Sequence, residues 1–286
     1  MNLELAIKKA SLTLKNHNIV SHELDAQILL SNIMGIEREF LITNNQINIS
    51  EKIKKKYEIA IERRVKREPI AYIIGKKEFW SESFKVNQST LIPRPETELL
   101  IYKVINFFRN KKISILDIGT GTGCILLSIL KELSSSRGLG IDISAKAIEI
   151  AKINSNNLNL SSRAKFKVFD LNKFNTGKYD LIVSNPPYIP SGDIRNLSKD
   201  ITNYEPLAAL NGGSDGLDLI IKVIYKSDHL LKREGLLALE IGHNQYQRVS
   251  SILKRNGYRE MTKVYDYKRN VRCIIGTKIK FFKSKK

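Results

Sequence analysis

Beyond Pro95 the chain alternates short aliphatic segments with helical patterns, and this alternation constrains the fold more than any other feature. The strand-like segments are bounded by breakers and span residues 113–119, 138–144, 164–170, 179–185 and 236–242. Helical periodicity occupies residues 124–133, 145–157, 217–232 and 245–255. Strands that alternate with helices form βαβ units, so we predict an α/β protein with a parallel sheet covered by helices on both faces. Two more strand-like runs, 258–267 and 271–280, predict an antiparallel finish.

The first 75 residues have a different pattern, typical of a small all-helical domain. Apolar residues recur at three- and four-residue spacing in the segments 3–14, 24–29 and 50–66, and Ser21 is a suitable N-cap for the second helix. This part contains no glycine-rich loop and no cluster of titratable groups. We therefore expect it to bind or position a partner.

Residues 76–95 separate the helical part from the α/β part. Their aromatic and aliphatic residues, Phe79, Trp80, Phe84 and Val86, suggest a short hairpin. The predicted organisation is therefore a helical domain over 1–75, a hairpin linker over 76–95 and an α/β domain over 96–286.

The strong positive charge of the chain has two explanations. Lys and Arg number 48 against 29 Asp and Glu, which gives a formal net charge of +19. A phosphate-rich partner such as RNA would explain this excess, and so would compositional drift toward Lys, Ile and Asn. Only 52–56 and the tail 280–286 are densely basic, so both explanations stay open and direct nucleic-acid binding is not required.

Other composition features narrow the class of protein. The two cysteines, Cys124 and Cys273, have no metal-site spacing, and the four histidines are scattered, so no metal is expected. No window approaches the roughly 18–20 apolar residues of a membrane span, and the first residues lack the order of a signal peptide. We expect a soluble cytoplasmic monomer that does not bind a membrane.

A glycine-rich turn follows the first predicted strand of the α/β part and runs directly into a helix. It consists of Gly119, Thr120, Gly121, Thr122 and Gly123. Glycines let the backbone turn sharply and let a ligand lie against it. Asp142 stands nineteen residues after Gly123, at the end of the next strand, where a carboxylate can accept hydrogen bonds from both ribose hydroxyls. The combination predicts a nucleoside cofactor.

Two nucleoside cofactors are compatible with this turn. Cys124 occupies the last position of the dinucleotide pattern G-x-G-x-x-G/A, so NAD matches only in part. Asp117, just before the turn, is better suited to S-adenosylmethionine, whose ammonium group needs a nearby acid. Asp170 closes the third strand and can accept from an adenine amino group or cap the strand end.

The fourth strand ends at a tetrapeptide of Asn185, Pro186, Pro187 and Tyr188. Carboxyl ends of parallel strands share one edge, so this tetrapeptide faces the same crevice as the glycine turn. The Asn185 oxygen and the Pro186 carbonyl can hold both N–H groups of a planar NH₂, and Tyr188 can pack on the flat acceptor. An amide nitrogen is a weak nucleophile, and positioning can contribute roughly 7–11 kcal/mol at best. The tetrapeptide predicts N-methylation.

Six sequence blocks resemble the release-factor glutamine methyltransferases, the PrmC/HemK family. They read EPIAYIIGKKEFW, LIPRPETELL, LDIGTGTGCI, VSNPPYIP, YEPLAAL and GGSDGLDLI. The resemblance implies a seven-stranded Rossmann-like methyltransferase sheet, mostly parallel, with an antiparallel C-terminal strand. It also implies methylation of the side-chain amide nitrogen of the glutamine in the Gly-Gly-Gln motif of peptide-chain release factors. The helical domain would then help to hold the release factor.

The resemblance also implies roles for individual residues. Gly119 to Gly123 and Asp142 would bind S-adenosylmethionine, and Asn185 to Tyr188 would bind the glutamine amide. In the block Arg94-Pro95-Glu96-Thr97, Pro95 and Thr97 suit a helix cap, and Glu96 is placed to approach the site. Leu171 stands where some relatives have a tryptophan, so aromatic stacking on adenine is lost there.

Two rival functions stay open at this point. The Asn-Pro-Pro-Tyr tetrapeptide and the positive charge also suit methylation of an adenine or guanine amino group in DNA or RNA. A cofactor-binding scaffold that contacts RNA through a basic face is the alternative without catalysis.

Overall fold

The computed structural model describes residues 1–279, for Met261 the backbone alone, so the basic tail of 280–286 lies outside the described residues. The described chain forms two compact units. The smaller comprises Met1–Lys76 and Ser198–Tyr204, and the larger comprises Lys77–Leu197 and the chain from Glu205 onward. The boundaries at 75 and 95 stay predictions, although residues 77–95 lie within the larger unit.

The regular elements of the described chain are numbered in chain order. The α-helices are α1 (Leu3–Asn16), α2 (His22–Met34), α3 (Arg38–Thr43), α4 (Glu51–Val65), α5 (Ile70–Ile74), α6 (Pro95–Phe108), α7 (Cys124–Glu132), α8 (Ala145–Asn157), α9 (Lys199–Thr202), α10 (Asp218–Leu230) and α11 (Tyr246–Arg255). Short 3₁₀ helices span Leu171–Lys173, Ile194–Asn196 and Leu207–Ala209. The strands are β1 (Lys76–Phe79), β2 (Glu82–Lys85), β3 (Ser114–Ile118), β4 (Arg137–Asp142), β5 (Ala164–Val168), β6 (Tyr179–Ser184), β7 (Leu231–Glu240), β8 (Tyr258–Tyr265) and β9 (Val271–Lys278).

The smaller unit is a helical cluster built on the apolar stripes of α1, α2 and α4. Asn2 caps α1 by accepting from the Leu5 amide, whereas Ser21 occupies the N-cap position of α2 without a side-chain hydrogen bond. The buried Arg64 guanidinium bonds Asp25 and Asp200, each at 2.7 Å, which attaches α9 to this unit. Burying a charge requires such partners.

The larger unit contains the seven-stranded sheet, in the order β5-β4-β3-β6-β7-β9-β8. Pairs among β3 to β7 are parallel, and β9 runs antiparallel to both β7 and β8. The prediction of a mostly parallel sheet with an antiparallel C-terminal strand is confirmed. Two apolar clusters cover its faces, one formed mainly with α6, α7 and α8 and the other with α10 and α11.

The hairpin β1–β2 packs into the core of the larger unit. Phe79 and Phe84 are buried and meet edge to face, with ring centroids 5.9 Å apart. Its two-residue turn, Trp80-Ser81, has positive φ at both positions. The segment predicted to be a linker therefore contributes two aromatic side chains to the core of the larger unit.

Element boundaries differ from the prediction mainly around β7. This strand begins at Leu231, five residues before the predicted start, because Leu231 pairs with Tyr179 beyond an irregularity in β6. The exposed residues Lys232 to Glu234 hide this start from a hydrophobicity pattern. The short helices α3 and α5 were also not indicated.

Candidate active site

The two central strands β3 and β6 end side by side, with Ile118 paired to Ser184. Strands β4 and β5 extend the sheet on one side of this pair and β7 on the other. Ligands of open α/β sheets bind outside the carboxyl ends of the strands at such a switch point. A cavity of about 630 Å³ opens there, within the usual size of ligand sites. Its lining residues all belong to the larger unit.

Gly119 to Thr122 of the glycine turn form one wall of this cavity, whereas Gly123 does not line it. Gly119, Gly121 and Gly123 have φ values of +71°, +53° and +80°, a region that favours glycine. A Cβ built on Gly119 or Gly121 would meet no atom within 4 Å, so open space faces the turn. From behind, the buried Asn154 donates to the Thr122 carbonyl at 2.9 Å. The turn is thus fixed on one side and free to receive a ligand on the other.

Asp142 lies at the cavity, as predicted, with both carboxylate oxygens held in place. Oδ2 accepts from the Gly121 amide at 3.0 Å and Oδ1 from the Ser144 amide at 2.9 Å. Each oxygen of an ionised carboxylate retains a further acceptor site. Asp142 can therefore accept from two hydroxyl groups in the cavity.

Asp117 supports the turn from inside the protein. It is fully buried and does not line the cavity, and its Oδ2 accepts from the Thr120 hydroxyl at 2.6 Å. Oδ1 has no partner among the described residues. Burial raises the pKa of Asp117 to about 7. Its pairing with an ammonium group stays a prediction.

The far end of the cavity combines Asp170 with apolar side chains. Asp170 starts a 3₁₀ helix by accepting from the Asn172 amide at 2.9 Å, and Leu171 lines the cavity beside it. Two further lining residues were missed by sequence reasoning, Ile143, which is 72% exposed, and Phe169. The position of Ile143 directly after Asp142 in the sequence is the feature that could have indicated its place at the cavity. These residues provide an apolar surface for a flat ring.

Asn185 reaches the cavity from the end of β6. Its Nδ2 donates to Thr97 Oγ1 at 3.3 Å, and Thr97 Oγ1 donates to Glu240 Oε2 at 2.6 Å. Glu240 is fully buried, and burial raises the pKa of its carboxyl group. No group among the described residues donates to Asn185 Oδ1, which remains available as an acceptor.

Tyr188 belongs to a polar network beside the cavity. Its hydroxyl donates to Glu240 Oε1 at 3.3 Å and accepts from Arg272 at 3.1 Å. Burial raises the pKa of Tyr188 to about 12, so the phenol stays neutral near pH 7. Among the described residues Pro187 lines the cavity, whereas Pro186 and Tyr188 do not. The substrate contacts of Pro186 and Tyr188 therefore stay predictions.

The backbone of the tetrapeptide is held by the side chain of Gln245, a residue that the sequence did not indicate. Gln245 Nε2 donates to the Tyr188 carbonyl at 2.9 Å and to the Gly216 carbonyl at 3.0 Å. Gln245 Oε1 accepts from the Gly242 amide at 2.8 Å. This support links the tetrapeptide to the loop of GGSDGLDLI, a block noted only for its resemblance.

The block Arg94-Pro95-Glu96-Thr97 meets the site through the beginning of α6. Pro95 is the first residue of the helix, and Arg94 rather than Pro95 occupies the N-cap position. The expected capping role of the Thr97 side chain is not observed, because its hydroxyl donates to Glu240 instead. Glu96 is half-buried and does not line the cavity, so its role stays a prediction.

Arg94 holds a second loop near the cavity. It forms a 2.5 Å ion pair with Glu205, whose buried carboxylate also accepts from the Ile92 amide. Pro206 and Ala208, which follow, line the cavity.

Several other chemistries have no support in residues 1–279. The described chain contains no group of three or more His, Cys, Asp or Glu side chains arranged for a metal. Cys124 lines the cavity, but burial raises its pKa to about 12, so it is not a thiolate nucleophile at neutral pH. None of the helices described is long and apolar enough to cross a membrane.

Comparison with known sequences gives matches along nearly the whole chain. Residues 6–75 match the PrmC N-terminal domain family, and residues 109–264 match a methyltransferase domain family. A release factor glutamine methyltransferase of Clostridium acetobutylicum is 39% identical over 282 residues, covering 97% of this chain and 99% of that protein. Another from Buchnera aphidicola subsp. Schizaphis graminum is 40% identical over 278 residues, covering 97% and 100%.

Comparison with solved structures supports the fold. The hMettl16 catalytic domain in complex with MAT2A 3'UTR hairpin 6 aligns with a TM-score of 0.56 and 16% identity. The alignment covers 82% of this chain and 84% of that one.

Proposed function

The chain belongs to the release factor glutamine methyltransferase family, and from this premise we propose that it methylates the side-chain amide nitrogen (N5) of a glutamine in peptide-chain release factors. The glutamine is that of the Gly-Gly-Gln motif implied by the family resemblance, so the reaction modulates translation termination. The observation that carries the proposal is that Asn185 and the glycine turn line one cavity. Methylation of a nucleobase is not favoured, because full-length relatives are named for release factor glutamine.

The methyl donor is S-adenosylmethionine, which supplies a methyl group bound to a positively charged sulfur. The residues present fit such a nucleoside. The backbone at Gly119 and Gly121 leaves room for a close approach, and Asp142 has two free acceptor sites for ribose hydroxyls. Ile143 and Leu171 offer apolar contact to the base, and Asp170 can accept from its amino group.

The acceptor amide is held by the tetrapeptide. Asn185 Oδ1 accepts one substrate N–H, and the Pro186 carbonyl is the proposed acceptor for the other. Fixing the nitrogen in place compensates for its weak nucleophilicity, because orientation removes an entropic part of the barrier. When the nitrogen–carbon bond forms, the carbon–sulfur bond of the donor would break to leave S-adenosylhomocysteine, and the nitrogen would lose one proton to solvent. The neutral Cys124 thiol and Tyr188 phenol are not bases near neutral pH, so positioning of the nitrogen is the contribution that these residues support.

The proposal is tested with methyl-labelled S-adenosylmethionine and two release factors that differ only by Gln or Ala in the Gly-Gly-Gln motif. We expect label in the Gln protein alone, and Asn185→Ala to lose most of the transfer while retaining cofactor binding. Equal labelling of both release factors would overturn the proposal. Label in added RNA or DNA but in neither protein would favour the nucleobase alternative.

Three further assignments accompany this function. Residues 1–75, of which 6–75 match the PrmC N-terminal domain family, would hold the release factor. We expect the protein to be a monomer and to lie in the cytoplasm. Sedimentation with a release factor as a complex of one copy each would support the monomer. Direct nucleic-acid contact through the basic residues stays a separate hypothesis, tested by a salt-dependent mobility shift.

A further inference from the structure

Three residues from separate elements form a chain of hydrogen bonds that ends at the cavity. Glu240 is the last residue of β7, Thr97 lies in the first turn of α6, and Asn185 follows β6. Ser184 pairs with Leu239 in the sheet, so the next residues, Asn185 and Glu240, are brought to the same end of neighbouring strands. Thr97 connects them, at 2.6 Å to Glu240 and 3.3 Å to Asn185.

The direction of each bond in this chain follows from the number of hydrogens. Both oxygens of the Glu240 carboxyl group accept hydrogen bonds, and a hydroxyl has one hydrogen to give. Once Thr97 donates to Glu240, its oxygen can only accept from Asn185. The Asn185 amide must therefore turn its NH₂ toward Thr97, which leaves Oδ1 to face the cavity.

Glu240 is held in place by a second hydrogen bond, so that it continues to accept from Thr97. Its other oxygen, Oε1, accepts from Tyr188, and Tyr188 accepts from Arg272. The Arg272 guanidinium lies 5.5 Å from the Tyr188 ring centroid. Both carboxyl oxygens of Glu240 thus accept hydrogen bonds, from Thr97 and from Tyr188, and linked hydrogen bonds of this kind strengthen one another.

We propose that Thr97 and Glu240 are positioning residues that fix which atom of the Asn185 amide faces the acceptor and so make the site select an amide over a carboxylate. This inference rests on the proposed function, since it explains how a glutamine is distinguished from a glutamate. A glutamine offers N–H groups to Oδ1, whereas a glutamate would place oxygen against oxygen. A site built to bind N–H rejects an analogue that lacks it strongly.

The experiment compares Thr97→Val, which removes the hydroxyl at nearly constant shape, with Thr97→Ser, which keeps the hydroxyl and removes the methyl group. Ser227→Ala is the matched control, because the Ser227 hydroxyl is also buried but bonds only the Val223 carbonyl within α10. For each protein, KM and kcat are measured with the Gln release factor, and the inhibition constant with a Gln→Glu release factor. Glu240→Gln is the second variant, because glutamine can donate to Thr97 and reverse the chain of bonds.

We expect Thr97→Val and Glu240→Gln to lower kcat by about tenfold or more, with cofactor affinity kept within about twofold, because the amide is no longer held in one orientation. The ratio of the Glu inhibition constant to the Gln KM falls by about tenfold in the same variants. Thr97→Ser recovers most of both effects, and Ser227→Ala shows neither. Equal kcat and equal discrimination in the Val and Ser variants would overturn the proposal.

A second readout does not depend on the substrate. Hydrogen exchange of the Asn185 side-chain NH₂, assigned by its loss in Asn185→Asp, is followed by NMR with cofactor bound. Exchange accelerates in Thr97→Val and not in Thr97→Ser if the inference is correct, and is equal in both if it is wrong. Wild-type protein that leaves the Gln release factor unmethylated would refute the proposed function, while this exchange would still decide the orientation.

Discussion

The Gln245 side chain donates a hydrogen bond to the Tyr188 carbonyl at 2.9 Å, which ties the start of α11 to the tetrapeptide at the end of β6. The same nitrogen donates to the Gly216 carbonyl at 3.0 Å. The polar end of one buried side chain therefore holds two loops through their backbone carbonyls.

Replacing Gln245 by Ala is expected to lower the free energy of unfolding by about 2 kcal/mol, because buried carbonyls lose their donor. The single tryptophan, Trp80, lies in the larger unit, so its fluorescence during urea unfolding measures this change. Gln247→Ala is the control, since Gln247 is exposed on the same helix. Two variants of equal stability would show that the Gln245 contacts contribute nothing.

Gly216 is expected to tolerate no side chain. Its φ is +76°, and a Cβ there would lie 2.3 Å from the Tyr188 carbonyl oxygen. Gly216→Ala should therefore displace the tetrapeptide and lower methyl transfer by about tenfold or more, as small displacements of positioning groups do. Gly192→Ala provides the comparison, because a Cβ there meets no atom within 4 Å. Initial rates with the Gln release factor decide the point, and equal rates for the two variants would contradict it.

The stability of the larger unit should depend on pH through Asp117. Burial raises its pKa from 3.8 to about 7, so the folded protein binds more protons than the unfolded chain between these values. The free energy of unfolding therefore decreases as pH rises through this window, by up to about 1.4 kcal/mol per pH unit from this group. An asparagine at position 117 can still accept a hydrogen bond from the Thr120 hydroxyl through its side-chain oxygen, and it has no titratable group. Relative to wild type, Asp117→Asn should gain stability from pH 5 to pH 8 in urea unfolding, and parallel pH curves would refute this.

The turn of the β1–β2 hairpin contains strain that can be removed. Trp80 and Ser81 have φ values of +53° and +56°, where residues other than glycine, asparagine and aspartate are disfavoured. Ser81 is exposed. Ser81→Gly is therefore expected to raise the free energy of unfolding by about 0.5–1 kcal/mol. Ser81→Ala keeps the strained side chain and should give no gain, so an equal gain from both would argue against strain as the cause.

Local patterns predicted the strands that carry the site, because aliphatic runs and their breakers are visible in single segments. The positions of Asp142 and Asn185 followed from the ends of β4 and β6. Glu240 and Gln245 could not be predicted, since their roles depend on which strands and loops are neighbours in the sheet. Thr97 was expected to cap a helix, and only the three-dimensional structure, which brings the start of α6 to the end of β7, shows that its hydroxyl donates to Glu240.

The central claim is tested most directly by locating the transferred methyl group. Release factor incubated with wild-type protein or Asn185→Ala and S-adenosylmethionine is digested, and tandem mass spectrometry identifies the modified atom. We predict one methyl group on the side-chain nitrogen of the Gly-Gly-Gln glutamine with wild type, and a large loss with Asn185→Ala. A methyl group on another residue, or equal modification by both proteins, would contradict this account.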